Sequence, residues 1–353
     1  MSIQKHRAAI DKIDAQIVKL LNRRTKHVLG IGKAKLAGGK ATFQPDREQA
    51  LLRRICKLND GPIPDESLRH IYREVMSSSI ALQKTFTIAY LGPEATYTHQ
   101  AAARRFGTSL NYAPQKTIAE VFGEVTKNRA EYGVVPVENT TEGVVTHTLD
   151  MFVDSDLKIV AQIIMPIEHC LIGKGTLADI KKLYSHPQAY AQCRNWVRET
   201  MPRVEFIECS STTAAAALAA KNKTTAAISS ALAAEKYNLN ILEAGVQDHS
   251  GNATRFLVLG RECAASSGND RTSLMFTLND KVGALHNALQ PFRRHKLNMT
   301  KIESRPSKRK AWEYIFFADV DGHAEDPKVA KAIRSLGDTC SFVKILGSYP
   351  HGG

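Results

Sequence analysis

The stretch GNATRF at residues 251–256 leads directly into the apolar run LVLG at residues 257–260. The glycine and asparagine at its start favour a turn, and the apolar run is typical of a buried strand. The sequence therefore predicts a loop–strand junction that carries a hydroxyl, Thr254, beside a guanidinium, Arg255. Arginine suits a carboxylate ligand because its planar fork binds both oxygens at once. The same residues also fit an ordinary strand start with a surface arginine, so the surrounding sequence has to decide.

Strand and helix patterns alternate on both sides of this junction, from about residue 86 to residue 262. Strand-like runs lie at 88–91, 132–137, 157–164, 183–184, 204–209 and 226–228, with helical patterns at 101–106, 117–127, 189–201 and from 212 onwards. Such alternation predicts mostly parallel sheets with helices on both faces. A module of about 175 residues can form two lobes with a ligand cleft at the carboxyl ends of the strands.

The first 85 residues predict a module made only of helices. One long helix covers residues 3–36 and is stopped by Gly38-Gly39, a second begins near Pro45, and a third covers about 64–84. The first helix is about 50 Å long. Since so thin a module cannot bury a core alone, we expect it to pair with a second copy of the chain.

The basic residues of the first helix are spaced for an anionic ligand. Arg24 and Lys35 are eleven residues apart, which places them about 20° apart around the helix and about 16 Å apart along it. Both can therefore reach one small dianion. Arg7 lies about 25 Å from Arg24 along the axis and is better placed to reach the ligand of a partner chain. Ser79 and Gln83 share a face of the third helix. A solvated basic face is the alternative for any one of these residues.

A short polar linker at residues 264–270 precedes a third module. Strands at 273–278, 299–304, 312–320 and 341–346, with helices at 284–295 and 327–336, give the order βαββαβ. This order is the ferredoxin-like pattern.

The composition favours small anionic ligands. The net charge of +13 over 353 residues indicates an anionic partner, but no basic tract or zinc pattern points to nucleic acid. No spacing of histidine, cysteine and carboxylate suggests a metal, and no cofactor is expected. The six cysteines form no C-x-x-C pair, and neither a signal core nor a membrane-spanning run is present. We therefore expect a cytoplasmic protein with reduced thiols and no contact with membranes.

The first module resembles the all-helical chorismate mutase family. The resemblance rests on the spacing of Arg7, Arg24, Lys35, the Arg47-Glu48 pair, Ser79 and Gln83. In that family two chains intertwine, and each active site takes one arginine from the partner's first helix. The resemblance assigns this role to Arg7.

Two kinds of role follow from this resemblance. Chorismate would be bound by Arg7, Arg24, Gln44, Arg47 and Ser79. Its rearrangement would be assisted, at the breaking ether bond and the ring hydroxyl, by Lys35, Glu48 and Gln83. Gln44 stands where the family usually has aspartate, so its amide forms hydrogen bonds without charge. The reaction is a pericyclic rearrangement, for which the enzyme holds a compact conformer and stabilises charge on the ether oxygen.

The middle module resembles prephenate dehydratase. The resemblance is carried by the ordered polar loops at 92–98, 136–143, 185–189 and 210–213, which end in NATRF at 252–256. It implies a two-lobed architecture like that of periplasmic binding proteins. It also implies that prephenate loses carbon dioxide and its ring hydroxyl together to give phenylpyruvate. That chemistry needs an acid near the departing hydroxyl and donors for two carboxylates.

The dehydratase resemblance implies distinct roles along the opening stretch. Thr254 would be the acid-like donor, Arg255 would organise the binding of the substrate carboxylate, and Phe256 would form an apolar wall. The other cleft residues would be Thr96, Glu138, Asn139, Thr140, Ser211 and Thr212. An unperturbed threonine is a poor acid, so the proton comes either from Thr254 or from a neighbour or water beside it.

The third module resembles the regulatory ACT domain of the same enzymes. The matching motifs are GALH at 283–286 and ESRP at 303–306. A helix start offers free N–H groups to a carboxylate, and the resemblance implies feedback inhibition by L-phenylalanine bound between paired domains. The effector-binding residues would be Gly283, Ala284, Leu285, Asn298, Glu303, Ser304, Arg305 and Pro306.

These patterns together predict a multidomain chain. An all-α chorismate mutase module (1–85) precedes a two-lobed α/β dehydratase module (86–262) and an α+β ferredoxin-like ACT domain (270–350). The expected function is conversion of chorismate to prephenate and then to phenylpyruvate in L-phenylalanine biosynthesis, with feedback inhibition, in a homodimer or tetramer.

Two other classes of function remain open. One is a two-lobed small-molecule receptor, which the missing signal sequence and Thr254 disfavour. The other is an amino-acid sensor with dormant catalytic parts, which the basic residues of the helical module disfavour.

Overall fold

The computed structural model describes residues 2–37, 45–307 and 313–351, and for residues 33–37 and 45–46 it describes the backbone alone. The chain forms two compact units. One comprises the residues up to Thr87 with Phe106–Asn111, and the other comprises Ile88–Arg105 and the residues from Tyr112 onwards. No helix formed by the described residues is long and apolar enough to cross a membrane.

The described residues of the first unit form three helices, which confirms the all-helical prediction. They are α1 (Ile3–Ala37), α2 (Pro45–Lys57) and α3 (Asp65–Ala81). Residues 2–23, which include the N-terminal half of α1, are all exposed. Among them are the isoleucines at positions 3, 10, 13 and 17. The contacts of α1 with α3 lie in its second half, so the N-terminal half presents an uncovered apolar stripe.

The second unit begins with a lobe built on a mixed sheet. Its strands are β1 (Thr87–Leu91), β2 (Asn111–Gln115), β3 (Tyr132–Asn139), β4 (Gly143–Val144), β5 (Lys158–Pro166) and β11 (Ala253–Gly260), and its helices are α4 (Tyr97–Phe106), α5 (Ile118–Thr126) and α6 (Thr146–Asp154). The strand order is β2-β1-β3-β11-β5, with β4 paired to β3. The sequence predicts mostly parallel sheets, and this is wrong here: β11 returns from the other lobe and runs antiparallel to both β3 and β5.

The other lobe is also built on a mixed sheet. Its strands are β6 (Cys170–Gly173), β7 (Lys182–Ser185), β8 (Glu205–Glu208), β9 (Thr225–Ser229) and β10 (Asn240–Ala244), in the order β10-β6-β9-β7-β8. Its helices are α7 (Pro187–Ala191), α8 (Arg194–Thr200), α9 (Thr212–Ala219) and α10 (Ala231–Lys236), with a 3-10 turn at Leu177–Asp179. Strand β7 is parallel to β8 and β9, whereas β6 is antiparallel to β9 and β10.

The helix predicted at 189–201 is broken in two at Gln192–Cys193. The break leaves free N–H groups at the start of α8, and the carboxylate of Asp248 accepts hydrogen bonds from two of them, Asn195 at 3.0 Å and Trp196 at 2.9 Å. A carboxylate suits a helix N-terminus because it pairs both the free donors and the helix dipole. Asp248 is distant in sequence, so helical periodicity alone does not reveal the break.

The third module has the predicted ferredoxin-like order. It consists of β12 (Asp270–Leu278), α11 (Ala284–Arg294), β13 (Met299–Pro306), β14 (Tyr314–Asp321), α12 (Pro327–Gly337) and β15 (Cys340–Pro350). The strands form an antiparallel sheet in the order β13-β14-β12-β15.

This last sheet has two apolar faces. One packs on α11 and α12 through a cluster that includes Phe276 and Phe292. The other shares a cluster with the first lobe, in which Phe152 joins Met275 and Phe317. The third module and the first lobe are therefore built around one common core, because neither could leave this face exposed to water without loss of stability.

Gly347 marks the closest approach of β15 to β5. A Cβ atom on Gly347 would lie 2.1 Å from the carbonyl oxygen of Ile159 and 2.8 Å from its nitrogen. Because both atoms belong to the backbone of a paired strand, they cannot rotate away. Only glycine fits this contact.

Replacing Gly347 with alanine is expected to lower the free energy of unfolding of this unit by about 1–3 kcal/mol, the usual cost of overpacking. Denaturation in urea measures the change. The matched control is Gly337→Ala at the end of α12, where a Cβ would meet no atom within 4 Å. Equal midpoints for the two variants would contradict the close contact.

Candidate active sites

A cleft of about 520 Å³ lies between the two lobes of the second unit. Its volume is within the range of small-molecule sites. Thr254 and Asn252 line it from β11 and the preceding loop, Asn139 lines it from the end of β3, and Gln192 lines it from the other lobe. Both lobes therefore contribute polar side chains to one site.

Four helices begin at this cleft: α4, α6, α7 and α9. Their first residues line it, in the groups Thr96–Thr98, Val145–His147, His186 with Gln188, and Ser210–Thr212. Helix N-termini favour anions because their N–H groups are free and the helix dipole is positive there. None of the described residues that line the cleft is lysine or arginine. The donors on offer to an anionic ligand are therefore backbone amides, hydroxyls, side-chain amides and histidine rings.

The amide of Asn139 has one fixed orientation. Its Oδ1 accepts hydrogen bonds from the backbone N–H groups of Thr141 at 2.9 Å and Glu142 at 3.0 Å, so its Nδ2 must be the donor on the other side. Nδ2 donates to Oγ1 of Thr254 and to Oδ1 of Asn252, each at 2.8 Å. Thr254 is thus an acceptor in this bond, and its own hydroxyl hydrogen is directed elsewhere.

The same logic fixes the next groups along the network. Asn252 Nδ2 donates to Gln192 Oε1 at 2.8 Å. Nε2 of His169 lies 2.9 Å from the same oxygen, and because an amide oxygen can only accept, Nε2 is the donor. His169 therefore donates from Nε2, while the hydroxyl of Tyr97 lies 2.9 Å from Nδ1 and 2.8 Å from the backbone carbonyl of Glu168, to which it donates. Gln192 Nε2 donates to Glu142 Oε1 at 3.0 Å. A directional chain of hydrogen bonds thus joins Thr254 to a buried histidine.

Most of this network was not singled out by the sequence. Tyr97, Glu142 and Asn252 lie inside the quoted polar stretches, but nothing distinguishes them from their neighbours. His169 and Gln192 lie outside those stretches. The break in the helix at residue 192 is the signal that places Gln192 at the cleft, and that break depends on Asp248.

The helical unit brings three predicted residues together. Arg24 Nη1 donates to Oγ of Ser79 at 3.3 Å. A Cβ on Gly32 would lie 2.5 Å from Oε1 of Gln83, so the amide of Gln83 lies directly against α1. The absence of a side chain at Gly32 leaves room for this amide.

The other predicted residues of the helical unit are more dispersed. Arg7 is exposed on α1, about 25 Å along the axis from Arg24. Arg47 is exposed and Glu48 is half-buried on α2. Lys35 belongs to α1, with its side chain outside the described atoms, and Gln44 lies outside the described residues.

Comparison with known proteins places these sites in a family. Family models match in succession chorismate mutase type II at residues 6–84, prephenate dehydratase at 88–264 and the ACT domain at 272–338. A bifunctional chorismate mutase/prephenate dehydratase from Aquifex aeolicus (strain VF5) is 46% identical over 353 residues, which is 99% of this chain and 98% of that protein. One from Neisseria gonorrhoeae is 44% identical over 349 residues, 98% of this chain and 96% of that protein.

The chain belongs to the bifunctional chorismate mutase/prephenate dehydratase family.

A solved structure is consistent with this assignment. Prephenate dehydratase from Arthrobacter aurescens in complex with L-Phe matches with a TM-score of 0.70 and 33% identity, and the match covers 75% of this chain and 90% of that one. The predicted order of mutase, dehydratase and ACT domains is confirmed. The described residues contain no group of three or more histidine, cysteine, aspartate or glutamate side chains that could hold a metal ion.

Within the dehydratase domain, the predicted residues divide into those that line the cleft and those that do not. Thr96, Asn139, Ser211, Thr212 and Thr254 line the cleft. The remaining four, Glu138, Thr140, Arg255 and Phe256, do not.

Arg255 and Glu138 depart most from the sequence-based expectation. Successive side chains of a strand point to opposite faces, so Arg255 points away from the cleft that Thr254 faces. Its Nη1 lies 2.6 Å from Oδ2 of Asp319, and its Nη2 donates to the hydroxyl of Tyr349 at 2.8 Å. Glu138 Oε2 lies 2.7 Å from Nζ of Lys301. Both side chains contact the ACT sheet instead of the substrate cleft.

Phe256 and Thr140 are likewise not cleft-lining. Phe256 is 1% exposed and belongs to the core. Thr140 donates to the carbonyl of Gly251 at 3.3 Å and accepts from the N–H of Ala253 at 2.9 Å, so it holds the loop before β11 in place.

The predicted effector residues of the ACT domain lie at two ends of its sheet. Gly283 is at the start of α11 with φ of 79°, a conformation that favours glycine. Arg305 lies near it at the same end, since Thr277 and Arg305 both align with Ile315. Asn298 lies at the opposite end, where its Nδ2 donates to Asp321 at 3.0 Å.

The other predicted effector residues accompany these two groups. Ala284 and Leu285 begin α11, and Glu303, Ser304 and Pro306 belong to the last half of β13. Within one ACT domain these two groups of residues therefore lie apart.

His169 gives the dehydratase domain a predicted pH dependence. Burial lowers the pKa of His169, and its hydrogen bond to Gln192 opposes that effect only partly. Because an unperturbed histidine ionises near pH 6.5, the unfolded chain takes up this proton at a higher pH than the folded chain. The free energy of unfolding is therefore expected to fall as the pH drops from about 6.5 towards the folded pKa.

Urea denaturation between about pH 7 and pH 5 tests this expectation. His169→Gln removes one titrating group and should reduce the slope; His99, whose pKa burial also lowers, retains its share. His147→Gln, at an exposed histidine of the same cleft, is the control and should keep it. An unchanged slope in His169→Gln would contradict the assignment of a neutral buried imidazole.

Proposed function

We propose that the dehydratase cleft performs its reaction with Thr254 as the hydrogen-bond donor to the departing ring hydroxyl. The family converts chorismate to prephenate in the helical domain and prephenate to phenylpyruvate in the cleft, in the biosynthesis of L-phenylalanine. The observation that carries the proposal is the bond from Asn139 Nδ2 to Thr254 Oγ1. It occupies an acceptor site of the hydroxyl and leaves the hydrogen available to the substrate.

The electron flow defines what the cleft has to stabilise. The bond between the ring carbon and the carboxylate breaks, its electron pair completes the aromatic ring, and the ring hydroxyl leaves with the electrons of its own bond. Negative charge therefore moves from the carboxylate to the departing oxygen, which is protonated to water. A donor aimed at that oxygen contributes where the charge develops. As Thr254 donates, the hydrogen bond from Asn139 stabilises the growing charge on Oγ1.

The lack of lysine and arginine among the described cleft residues suits this reaction. A carboxylate that departs as neutral carbon dioxide loses its charge in the transition state. A cation paired with it would stabilise the substrate more than the transition state and would slow the step. Helix N-termini and hydroxyls bind the dianion with weaker partial charges. Ser211 and Thr212 line the cleft as donors, whereas the hydroxyl of Thr96 lines it while donating to the carbonyl of Leu91.

Substitution of Thr254 tests its role. Thr254→Val keeps the shape but has no hydroxyl, and we expect kcat for prephenate to fall by about 10²–10³-fold, the usual cost of losing such a donor. Thr254→Ser keeps the hydroxyl and should retain most activity. Chorismate consumption by the mutase domain is the internal control. Full dehydratase activity in Thr254→Val would refute the proposal.

A second variant tests whether the orientation of the Thr254 hydroxyl matters, and not only its presence. Asn139→Asp keeps the bonds from the N–H groups of Thr141 and Glu142 but replaces the donor with an oxygen. Thr254 would then donate to the aspartate instead of to the substrate, so kcat should fall although the threonine is present. Normal kcat in this variant would mean that the bond from Asn139 is not needed.

For the mutase domain, we propose that one site is completed by two chains. Arg24, Ser79 and Gln83 gather at one place on α1 and α3, and with Lys35, Gln44, Arg47 and Glu48 they would hold chorismate. Arg7 is too far along the helix to join its own Arg24. The exposed stripe of Ile3, Ile10, Ile13 and Ile17 supports a helix from a second chain along α1, which would deliver the partner's first-helix arginine.

Complementation of two inactive variants tests this arrangement. Arg7→Ala and Lys35→Ala homodimers should each be inactive towards chorismate. After mixed refolding, half of the random dimers are hybrids with one intact site, so about a quarter of wild-type activity should return in a symmetric dimer. If each site is built from a single chain, mixing will restore nothing.

The remaining parts of the proposal concern regulation and location. L-Phenylalanine would bind between two ACT domains, because Gly283 and Asn298 lie at opposite ends of one sheet. The assembly would be a homodimer or tetramer with no nucleic acid or membrane partner. The six unpaired cysteines support a reducing compartment, the cytoplasm.

A further inference from the structure

Gln192 joins the two lobes across the dehydratase cleft. It follows α7 in the lobe built on β6–β10, and its amide bonds to two side chains outside that lobe. Its Oε1 accepts from Nδ2 of Asn252 at 2.8 Å, and its Nε2 donates to Oε1 of Glu142 at 3.0 Å. A half-turn of this amide would therefore set donor against donor at Asn252 and acceptor against acceptor at Glu142.

Three amides form a directional series that ends at this glutamine. Nδ2 of Asn139 donates to Oδ1 of Asn252 at 2.8 Å, and Asn252 in turn donates to Gln192. In such a series each hydrogen bond polarises the next, so a turn of one amide opposes the orientation of its neighbour. The orientation of Gln192 therefore bears on Asn139, whose Nδ2 also donates to Thr254.

His169 supplies a second donor to the oxygen of Gln192. Its Nε2 lies 2.9 Å from Oε1 of the glutamine and donates to it, because an amide oxygen can only accept. The oxygen thus holds one donor from Asn252 and one from the imidazole. A half-turn of the Gln192 amide would bring its NH₂ group against both donors. Of the two donors, only the imidazole lies outside the series of amides.

The backbone of His169 is fixed at the place where the chain crosses between the lobes. Its N–H donates to Oε1 of Gln247 at 2.9 Å, and its carbonyl accepts from the N–H of Val246 at 2.9 Å. These bonds tie together the two connections between the lobes, residues 167–169 and residues 245–252. The histidine therefore keeps its position without any help from its ring.

The ring of His169 has little contact with the cleft itself. The residue is 3% exposed, although it lies at the cleft wall. Its Nδ1 lies 2.9 Å from the hydroxyl of Tyr97, and its Nε2 faces Gln192. Because protein groups contact both ring nitrogens, an effect of His169 on the reaction has to pass through Gln192 and not through contact with the substrate.

We propose that His169 is a positioning residue of the dehydratase reaction. Its Nε2–H fixes the orientation of the Gln192 amide, and through Asn252 it supports Asn139 as the donor that directs Thr254. The proposal rests on the role of Thr254 proposed above. Loss of this support lowers kcat with little change in KM, because the bonds concerned orient a donor and do not bind the ground state of the substrate.

Two substitutions at this position separate the donor from the ring. In His169→Gln the side-chain amide reaches the place of Nε2, so a donor to Gln192 is kept. In His169→Asn the amide is one bond shorter and reaches only the place of Nδ1. Both variants keep the backbone bonds to Gln247 and Val246. We expect kcat for phenylpyruvate formation to fall by about tenfold in His169→Asn and to stay within about twofold of wild type in His169→Gln, with KM within about twofold in both.

A double-mutant cycle tests whether the effect passes through Gln192. Gln192→Ala removes the acceptor and should itself lower kcat. In that background His169→Asn should cost less than about twofold, although it costs about tenfold when the glutamine is present. A histidine that only stabilised the fold would give the same loss in both backgrounds.

The matched control is a second buried histidine of the same unit. His323 is also 3% exposed, and its Nε2 lies 3.1 Å from the carbonyl oxygen of Ala264. His323→Asn should leave kcat and KM for prephenate unchanged. Kinetics are read at a temperature at which circular dichroism shows every variant folded, with chorismate consumption by the mutase domain as a second check.

Four results would overturn the inference. The first is normal kinetics in His169→Asn, and the second is an equal loss of kcat in His169→Gln. The third is an undiminished loss when His169→Asn is combined with Gln192→Ala. The fourth is a raised KM with normal kcat in His169→Asn, which would mark the histidine as a substrate ligand. Normal activity in Thr254→Val would instead refute the proposed function, so the two failures can be told apart.

Discussion

The two-residue period of strand β11 is the constraint on which the second unit depends. Neighbouring side chains of a strand must face opposite ways, and in β11 they face two different domains. Thr254 faces the cleft and Arg255 faces the ACT sheet. The strand lies between β3 and β5, so both the cleft and the shared core are built around it. The cleft and the ACT sheet are thus contacted by side chains one residue apart in sequence, on opposite faces of one sheet.

The two sites of the chain offer two ways of binding a dicarboxylate. The site proposed for the helical domain contains cationic side chains such as Arg24, which suits a rearrangement in which both carboxylates keep their charge. The dehydratase cleft gathers four helix starts and no lysine or arginine among its described lining residues. That arrangement suits a step in which one carboxylate loses its charge. The donors of the two sites thus differ in line with the charge that the substrate carboxylates keep or lose in the two reactions.

Sequence patterns predicted the element order well and the pairing of strands less well. The strong periodicity of α1 and the βαββαβ order of the ACT domain are local signals, and the structure confirms both. The short strands β2, β6 and β10 and the helices α6 and α10 carry too few residues for a clear period. The antiparallel insertion of β11 depends on contacts with distant strands, which alternation of elements does not encode.

The site residues show the same contrast between local sequence signals and contacts made by distant parts of the chain. Thr254 and Asn139 lie in conspicuous polar stretches, whereas His169 and Gln192 join the site only through the folded chain. The polar type of Arg255 suggested a carboxylate ligand, and the residue does bind a carboxylate, but that carboxylate is Asp319. Residue type indicated the chemistry of the contact correctly. To identify its partner, one must know which face of the sheet Arg255 points to.

The common core of the dehydratase lobe and the ACT sheet limits how this enzyme can escape feedback control. In many regulated enzymes a sensor domain sits on a linker and can be lost without harm to the catalytic part. Here Phe152 packs in one cluster with Met275 and Phe317, and the backbone of Gly347 lies against Ile159. Deletion of the sensor would expose the interior of the catalytic lobe to water. Loss of the sensor by truncation is therefore expected to cost stability, whereas single substitutions that keep the sheet in place avoid that cost.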